Sequence, residues 1–337
     1  MRQKRCLSGF RLCGVCRALK LFTEHYYMKK VFIDGSSGTT GLRIRERLQA
    51  RDDIELITLP ETEKKSIGAK REALNSADVA VLCLPDEAAR ESVSLVENPD
   101  TVIIDASTAH RTKPGWVYGF PELSEEQAEK ISAAKRIAVP GCHASGFIAL
   151  VYPLVKAGII DASERLSCFS LTGYSGGGKK MIADYEATDR DFELCAPRQY
   201  AMGQQHKHLA EMKAVTGLDS FPVFCPVVSD FYSGMQVTVP LFAESLCKGH
   251  TSADIADVYR SLYKDSVVSF CETAGHDGFL SAAELCGKDS MYVSVGGNGE
   301  RILLLAVYDN LGKGASGTAL ECLNLALGCS KEYGLKL

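Results

Sequence analysis

Three features that would mark a specialised class of protein are missing from this 337-residue sequence. No uninterrupted apolar stretch reaches the roughly 18 residues that a membrane-spanning helix needs. Basic residues are not in excess, since 38 Lys and Arg stand against 42 Asp and Glu, for a net charge of −4. No segment repeats, and none is of low complexity. These absences argue against a nucleic acid or an anionic membrane as the main partner, and the length suits two globular domains.

A paired set of metal-binding cysteines is also missing, although the chain contains 13 cysteines. Cys13 and Cys16 form the one close pair, and no second pair or histidine stands beside them at the spacing of a zinc site. Most of the others lie in apolar runs, where a free thiol behaves as a small hydrophobic side chain. We therefore expect no metal centre, and we predict a protein of the reducing cytoplasm.

The first 27 residues differ from the rest, because they contain six Lys or Arg and a single acid, Glu24. A basic, acid-poor segment is compatible with a transit peptide, whereas no clean apolar region precedes a small-residue cleavage site, as a secretory signal requires. Met28, followed by two lysines and an apolar strand, also has the character of a translation start. We favour that interpretation and expect residues 1–27 to form a poorly ordered extension.

Strand and helix patterns alternate in the first third of the chain. Short apolar runs predict strands at 31–33, 54–59, 79–84 and 102–104, with helices at 42–49, 66–74 and 86–96. Alternation of this kind predicts a parallel sheet with right-handed crossovers, which is an α/β fold. After Pro140 a helix at 144–157 leads to widely spaced strands near 167–171, 235–239, 291–295 and 302–308, so a second domain of α+β type follows. An amphipathic helix is predicted at 315–327.

A glycine turn, GSSGTTG at 35–41, links the first predicted strand to the first predicted helix. Such a turn aims backbone N–H groups at an anion, and the helix dipole adds to the attraction. Gly35 would permit the tight turn, Gly38 the approach of a pyrophosphate, and Gly41 close packing of the helix on the strand. The spacing is not G-x-G-x-x-G, so an ordinary βα turn is the alternative. Because nucleotide sites lie at the first turn of a βαβ series, we predict cofactor contacts here, which also include Ser36, Thr39 and Thr40.

The end of the second predicted strand bears on the choice of dinucleotide. An NAD enzyme usually has an acid there for the ribose 2′-hydroxyl, a role that Glu61 fits. Lys64 and Lys65, which follow, would instead suit the 2′-phosphate of NADP. The sequence therefore leans towards NADP and leaves NAD open.

Cys142 stands out among the cysteines because a strand end, Pro140 and Gly141 lead through it directly into a predicted helix. A thiol at a helix N-terminus has its pKa lowered by the dipole, and the thiolate is the reactive form. Backbone N–H groups beyond it would hold the oxyanion formed when the sulfur attacks a carbonyl. We predict that Cys142 is a catalytic nucleophile, the alternative being a cysteine that fills a tight turn.

A cysteine nucleophile needs a group that accepts and returns its proton. His206 and His208 form the one close pair among seven histidines, in a polar stretch. On its own this pair could equally be a solvated loop, or a metal site in which Glu211 is the one nearby carboxylate. His143, beside the nucleophile, is a weaker candidate because adjacent side chains usually point apart.

Two further polar clusters suit anions. One is GYSGGGKK at 173–180, where flexible backbone lies beside Lys179, although a mobile surface loop is an equal alternative. The other follows the fourth strand, at the edge where α/β sheets bind ligands, and contains Ser107 and Arg111. Arg111 would be an oxyanion clamp or only a surface charge.

Eight segments, taken in order, resemble the N-acetyl-γ-glutamyl-phosphate reductases of arginine biosynthesis in their shorter bacterial form. They are VFIDGSSGTTGLRIRERL (31–48), VLCLPDEAARE (81–91), IDASTAHRT (104–112), WVYGFPEL (116–123), PGC (140–142), GYSGGGK (173–179), QHKH (205–208) with Glu211, and DNLGKGASG (309–317). The resemblance runs from about Lys29 to the end of the chain.

This resemblance implies a Rossmann-like NADP-binding domain of residues 28–141 plus 315–337, with an inserted catalytic and dimerisation domain of residues 142–314. It implies that Cys142 attacks N-acetyl-γ-glutamyl phosphate, that phosphate leaves a thioester, and that hydride from NADPH gives the semialdehyde. A histidine of the 206/208 pair would move the proton. The cofactor would also contact Ser175, Gly176, Asn310 and Lys313, the substrate would contact Ser107, Arg111 and Lys179, and the chain would form a homo-oligomer, a dimer or a tetramer.

One departure and three rivals accompany the resemblance. After the cysteine the family commonly has Tyr, where this chain has His143, which would lower the thiol pKa further or only replace the tyrosine ring in packing. An aspartate-semialdehyde dehydrogenase and an aminoadipyl-phosphate reductase would share the chemistry, but residues 206–211 resemble the acetylglutamyl family. A nucleotide-binding regulator without catalysis would need neither Cys142 nor the histidine pair.

Overall fold

The computed structural model describes residues 28–264 and 267–337, so the expectations for residues 1–27 fall outside the described residues. Two sheets organise this part of the chain. Among the described residues, no helix is both long enough and apolar enough to cross a membrane.

The first sheet contains six parallel strands in the order β2-β1-β3-β4-β6-β5. Its elements are β1 Lys29–Asp34, α1 Thr39–Leu48, β2 Ile54–Ile57, α2 Ile67–Ser76, β3 Val79–Leu82, α3 Asp86–Ser94, β4 Val102–Asp105, β5 Val117–Tyr118, α4 Glu125–Ala133 and β6 Arg136–Ala138. The order reverses at β1, because β2 lies on one side of it and β3 on the other. Ligands of open α/β sheets bind at such a reversal, beyond the carboxyl ends of the strands.

Helices cover both faces of this sheet, and the central strands β3 and β4 are therefore buried at every residue. Phe32, Ala80 and Ile103 pack on one face against α2 and α3, while Val31 and Ile104 pack on the other face against α1 and the last helix of the chain. Strands buried on both faces have continuous apolar runs, which is why the sequence located them.

The second sheet contains seven strands of mixed direction, in the order β11-β12-β13-β10-β7-β9-β8. The elements that follow β6 along the chain are α5 Cys142–Lys156, β7 Ser167–Gly173, α6 Gly178–Glu186, β8 Arg198–Gln199, α7 Leu209–Thr216, β9 Val223–Ser229, β10 Met235–Phe242, α8 Ser252–Leu262, β11 Val268–Phe270, β12 Met291–Gly297, β13 Arg301–Tyr308 and α9 Gly317–Ala326. Helix α5 is buried along almost its whole length against one face of this sheet. The α/β class with a second α+β unit is therefore confirmed.

The last helix is present where it was predicted, but the prediction that it is amphipathic was wrong. Helix α9 is preceded by a π-helical turn, Gly312–Ser316, and its residues from Gly317 to Asn324 are all buried. Its polar side chains stay in the core because they have partners there: Glu321 binds Lys313, and Asn324 donates to the backbone oxygens of Lys331 and Tyr333. Although α9 packs on the first sheet, the predicted domain boundaries remain a prediction.

Candidate active site

The glycine turn lies at the sheet reversal, between the end of β1 and the start of α1. Gly35 has φ +87°, and a Cβ there would lie 2.3 Å from the carbonyl oxygen of Cys83. A Cβ on Gly41 would lie 2.4 Å from the carbonyl oxygen of Gly35, so both positions require glycine. Gly38, the N-cap of α1, is less crowded, since a Cβ there would lie 3.5 Å from the carbonyl oxygen of Gly35, an ordinary contact distance.

Two cavities flank this turn and together fit a dinucleotide. One of about 500 Å³ extends from Gly35 and Ser36 along β2 to Glu61 and Lys64. The other, of about 220 Å³, is lined by Gly38, Thr39, Thr40 and Gly41 from the turn and by Ser175 and Gly176 from the second domain. Eight of the predicted cofactor contacts therefore line one cavity or the other. Backbone N–H groups at the start of α1 would hold the pyrophosphate.

The other two predicted cofactor residues, Asn310 and Lys313, line neither cavity. Asn310 is buried; its amide nitrogen donates to Ser175 Oγ at 3.0 Å and its oxygen accepts from the Gly234 N–H at 2.9 Å, so it holds the cavity wall. The ammonium of Lys313 is buried and lies 2.6 Å from carboxylate oxygens of Glu122 and of Glu321. The charge of Lys313 therefore balances two buried carboxylates, and its predicted contact with the cofactor stays a prediction.

Cys142 is the first residue of α5, with Gly141 as the N-cap, so its position at a helix N-terminus is confirmed. The predicted low pKa of the Cys142 thiol is not confirmed. Burial raises the pKa of the thiol to about 11, and Glu211 adds to the rise, although Arg111, the backbone N–H of His143 and Lys207 lower it. Desolvation of the thiolate outweighs the helix terminus. Cys142 therefore rests as a thiol, and it would need a base to take its proton before it could act as a nucleophile.

The histidine pair is part of this site rather than of a solvated loop. The rings of His206 and His208 lie 4.6 Å apart, and both residues line a cavity of about 220 Å³ together with Cys142. The ε nitrogen of His208 closely approaches Gly141, since a Cβ there would lie only 2.5 Å from it. Burial lowers the pKa of His206 to about 4 and that of His208 well below its usual value, so both imidazoles are neutral near pH 7.

The two histidines differ in their hydrogen bonds. The backbone N–H of His208 donates to His206 Nδ1 at 3.2 Å, which leaves the proton of His206 on Nε2 and makes that ring a donor. His208 Nδ1 is buried and has no partner among the described residues. His208 is therefore the ring with the freedom to exchange protons beside Cys142.

Glu211 holds the backbone directly before Cys142. Its two oxygens accept from Arg111 at 2.7 Å, from the Tyr118 hydroxyl at 2.8 Å and from the Gly141 N–H at 3.0 Å. Arg111 also donates to the backbone oxygens of Val139, at 2.8 Å, and of Ala106, at 3.1 Å. Arg111 is therefore neither a surface charge nor a free clamp: it fixes the turn that presents Cys142. Its predicted contact with substrate stays a prediction.

The remaining predicted substrate residues do not line the cavity around Cys142. The Ser107 hydroxyl donates to Asp105 at 2.7 Å and accepts from the Ala109 N–H at 3.1 Å, within the loop after β4. Lys179 is exposed on α6. The lysine that lines this cavity is Lys207, between the two histidines. Sequence reasoning passed it over, although its neighbours were the available signal.

The loop between β8 and α7 carries Tyr200, His206 and Lys207 into the cavity. Ala201 and Gln204 have φ values of +53° and +54°, which are unfavourable for residues with a side chain. The Gln204 amide holds this shape, because it donates to the Phe224 carbonyl at 2.7 Å and accepts from the Phe224 N–H at 2.9 Å. Tyr200 is a cavity residue that no sequence pattern indicated.

His143 settles one of the alternatives left open above. Its ring is buried, and burial lowers its pKa to about 3, with His206 adding to the effect. A neutral ring cannot lower the pKa of Cys142 as a neighbouring cation would.

Comparison with known proteins gives a consistent result across both domains. Residues 16–131 match the semialdehyde dehydrogenase NAD binding domain, and residues 142–310 match the semialdehyde dehydrogenase dimerisation domain. An N-acetyl-gamma-glutamyl-phosphate reductase 2 of Pseudomonas putida is 42% identical over 90% of this chain and 98% of its own length. An N-acetyl-gamma-glutamyl-phosphate reductase of Mesorhizobium japonicum is 45% identical over 89% of this chain and 99% of its own length.

Solved structures share the fold at low sequence identity. Aspartate semialdehyde dehydrogenase II of Vibrio cholerae, in complex with ASA, superposes with a TM-score of 0.69 at 18% identity, over 89% of this chain and 98% of that one. Aspartate semialdehyde dehydrogenase with NADP from Candida albicans gives a TM-score of 0.63 at 15% identity, over 90% and 99%.

Proposed function

The chain belongs to the N-acetyl-gamma-glutamyl-phosphate reductases, within the semialdehyde dehydrogenase family, and we propose that Cys142 and His208 carry out its reaction. That reaction is the NADPH-dependent reduction of N-acetyl-L-glutamyl 5-phosphate to N-acetyl-L-glutamate 5-semialdehyde and phosphate, in arginine biosynthesis. The observation that supports the assignment of residues is the shared cavity of Cys142 and the two neutral histidines, beside the dinucleotide cavities.

The chain's own residues supply the steps around the acyl group. His208 takes the proton of the Cys142 thiol, and the thiolate forms a bond to the substrate carbonyl carbon. The bond from that carbon to the phosphate oxygen breaks, His208 gives its proton to the leaving phosphate, and a thioester remains on Cys142. NADPH, when bound, supplies the hydride that reduces this thioester. Collapse of the resulting thiohemiacetal oxyanion breaks the carbon–sulfur bond, and the released thiolate takes a proton from solvent by way of His208, which replaces the proton that left with phosphate.

The phosphate group requires a cation in the same cavity. Lys207 is exposed there between the two histidines, whereas three of the N–H groups of Arg111 already bind protein oxygens. We assign the phosphate contact to Lys207 in preference to Lys179, because a flexible ammonium at the cavity rim reaches a phosphate as a point charge.

The direct test of the reaction is phosphate-dependent reduction of NADP by the purified protein, with N-acetylglutamate semialdehyde and aspartate semialdehyde compared side by side. Turnover of the acetylated substrate alone is the expected result. Turnover of aspartate semialdehyde alone would keep the chemistry and overturn the substrate, and binding of NADP without turnover of either would favour a regulator.

Arg45 is expected to select NADPH over NADH. It lines the 500 Å³ cavity near Lys64, and its buried Nε has no hydrogen-bond partner among the described residues. A 2′-phosphate would satisfy that N–H, and the loss of a charge-assisted hydrogen bond costs about tenfold to a hundredfold in affinity. Arg45→Gln should raise KM for NADPH by that factor and leave KM for NADH unchanged in steady-state assays.

The control for this substitution is Arg71→Gln. Arg71 lies on α2, and the change removes its guanidinium from an exposed ion pair with Glu97. It should leave both cofactors unaffected. Equal losses for NADH and NADPH in Arg45→Gln would mean that Arg45 supports the fold and does not read the phosphate.

The protein self-associates, and the second sheet offers the surface. Its face away from α5 exposes Phe169 on β7, Phe242 on β10 and Leu303 on β13, by 51%, 60% and 39%. Cross-strand register places these residues on one side of adjacent strands. We propose that a second copy covers this face, because the matched family unit is a dimerisation domain and exposed apolar side chains grouped on one face are typical of a protein–protein interface.

Leu303→Glu should shift the protein towards monomer in sedimentation velocity, because the partner would have to bury an unpaired carboxylate. Ile67→Glu makes the same change at a 55% exposed position on α2 and should leave the oligomer intact. An oligomer that survives Leu303→Glu would place the interface elsewhere.

The location of the protein remains a proposal. All ten cysteines among the described residues are free, and the chemistry needs Cys142 as a thiol. A reducing compartment keeps it so, which supports the cytoplasm, and fractionation of the source cells would test it.

A further inference from the structure

Three buried or half-buried side chains, connected by hydrogen bonds, lead to the cavity around Cys142. Ser170, on β7, lies with its Oγ 2.6 Å from His143 Nδ1. The opposite ring nitrogen, His143 Nε2, lies 2.6 Å from the Tyr200 hydroxyl. His143 and Tyr200 line the cavity, and Ser170 is buried behind them with 1% of its surface exposed. None of these bonds is used in the reaction steps described above.

The direction of the protons along this chain follows from Ser170. Among the described residues, His143 is the sole hydrogen-bond partner of its hydroxyl. A buried hydroxyl that only accepted would leave its proton without an acceptor, which costs about 1–3 kcal/mol, so Ser170 donates to Nδ1. A neutral imidazole that accepts at Nδ1 carries its proton on Nε2, and that proton is donated to the Tyr200 oxygen.

The Tyr200 oxygen therefore receives a hydrogen bond from behind, and its own proton must point away from His143. Tyr200 is anchored by its backbone N–H, which donates to the Pro226 carbonyl at 3.1 Å. Because Tyr200 lines the same cavity as Cys142, the free proton is available to an acceptor there. Burial, with the charge of a Cys142 thiolate added, raises the pKa of the phenol, so the proton stays on Tyr200 throughout the reaction.

We propose that Tyr200 donates a hydrogen bond to the oxyanion at the acyl carbon bonded to Cys142, and that Ser170 and His143 are positioning residues that aim it. The inference rests on the proposed function of Cys142. Oxyanions formed at this carbon, both before phosphate leaves and after hydride arrives, need a donor fixed in advance, and a phenol held by a neutral relay is one.

The relay depends on the histidine at position 143, because its two ring nitrogens make both hydrogen bonds. A tyrosine, common at this position in the family that the sequence resembles, has no ring nitrogens to accept from Ser170 and to donate to Tyr200 at the same time. The histidine at 143 therefore builds a link between β7 and the β8–α7 loop that packing alone would not provide.

The experiment compares kcat and KM of four variants in the NADP-dependent assay: Tyr200→Phe, Ser170→Ala, the two combined, and Ser170→Thr. Loss of one oxyanion donor lowers kcat by about a hundredfold, so Tyr200→Phe should do so with KM little changed. Ser170→Ala lets His143 turn into an acceptor for the Tyr200 proton, and should lower kcat by about tenfold, as losses behind a functional group commonly do. The kcat of the double variant should be no lower than that of Tyr200→Phe. Ser170→Thr, which keeps a hydroxyl, should have the kcat of the parent protein.

Controls separate this relay from folding and from the proposed function. Ser294→Ala removes an equally buried hydroxyl from β12 and should leave kcat unchanged. NADPH binding by each variant reports folding, and if Ser170→Ala does not fold, the nearly isosteric Tyr200→Phe decides alone. Unchanged kcat in Tyr200→Phe, a change in KM only, or multiplicative losses in the double variant would overturn the inference. Turnover that survives Cys142→Ser would instead overturn the proposed function.

Discussion

Cys142→Ser should lower NADP-dependent turnover by about four orders of magnitude or more, the scale at which loss of a nucleophile is felt in other enzymes. The serine hydroxyl keeps the place of the thiol at the start of α5, but its pKa is far higher. The neutral His208 would then have to remove a much less acidic proton, and no thioester would form. Steady-state assays with N-acetylglutamate semialdehyde, NADP and phosphate measure the loss.

The matched control is Cys195→Ser, which makes the same atomic change at an exposed cysteine outside the cavity. It should retain full activity. Binding of NADPH should be intact in both variants, because the dinucleotide cavities do not include either sulfur. Activity of Cys142→Ser within tenfold of the parent would mean that Cys142 only fills the turn before α5.

His208→Asn should lower kcat by about a thousandfold, within the range that general acid–base catalysis contributes. The ring lies beside Gly141, its Nδ1 has no partner among the described residues, and Cys142 with a pKa of about 11 needs a base. His206→Asn should cost less, because His206 Nδ1 is already an acceptor for the His208 N–H. The two variants are compared by kcat at saturating substrate.

The pH profile checks the same assignment. Burial lowers the pKa of His208 well below its usual value, so the base stays deprotonated as the pH falls. The kcat/KM should therefore not decline between about pH 8 and about pH 6, where an unperturbed histidine would titrate. The control variant is His276→Asn, at a side chain that is 91% exposed. A decline centred near the ordinary histidine pKa, or equal losses in His206→Asn, would contradict the role of His208.

Much of the first domain could be predicted because its signals are local. The apolar runs of β3 and β4 are bounded by turns, the glycine turn begins at the end of β1, and Gly141-Cys142 opens a helix. Other elements gave no such signal. Strand β9 contains Pro226, which cannot donate to a ladder and argues against a strand, and helix α7 has only eight residues. Their pairing with β7 and α5 decides their structure, and those partners are distant in sequence.

The sequence by itself determined the α/β class, the glycine turn, the place of Cys142 at a helix N-terminus and the choice of His206 and His208 as its neighbours, because each depends on residues a few positions apart. Only the tertiary structure decided that the Cys142 thiol has a raised pKa, that Lys313 serves buried carboxylates, and that Lys207 rather than Lys179 faces the cavity. It alone joined Ser170, His143 and Tyr200. The reason is that folding brings together the groups that desolvate a side chain and bind it by hydrogen bonds. These groups shift the pKa of an ionisable side chain more strongly than the local backbone does.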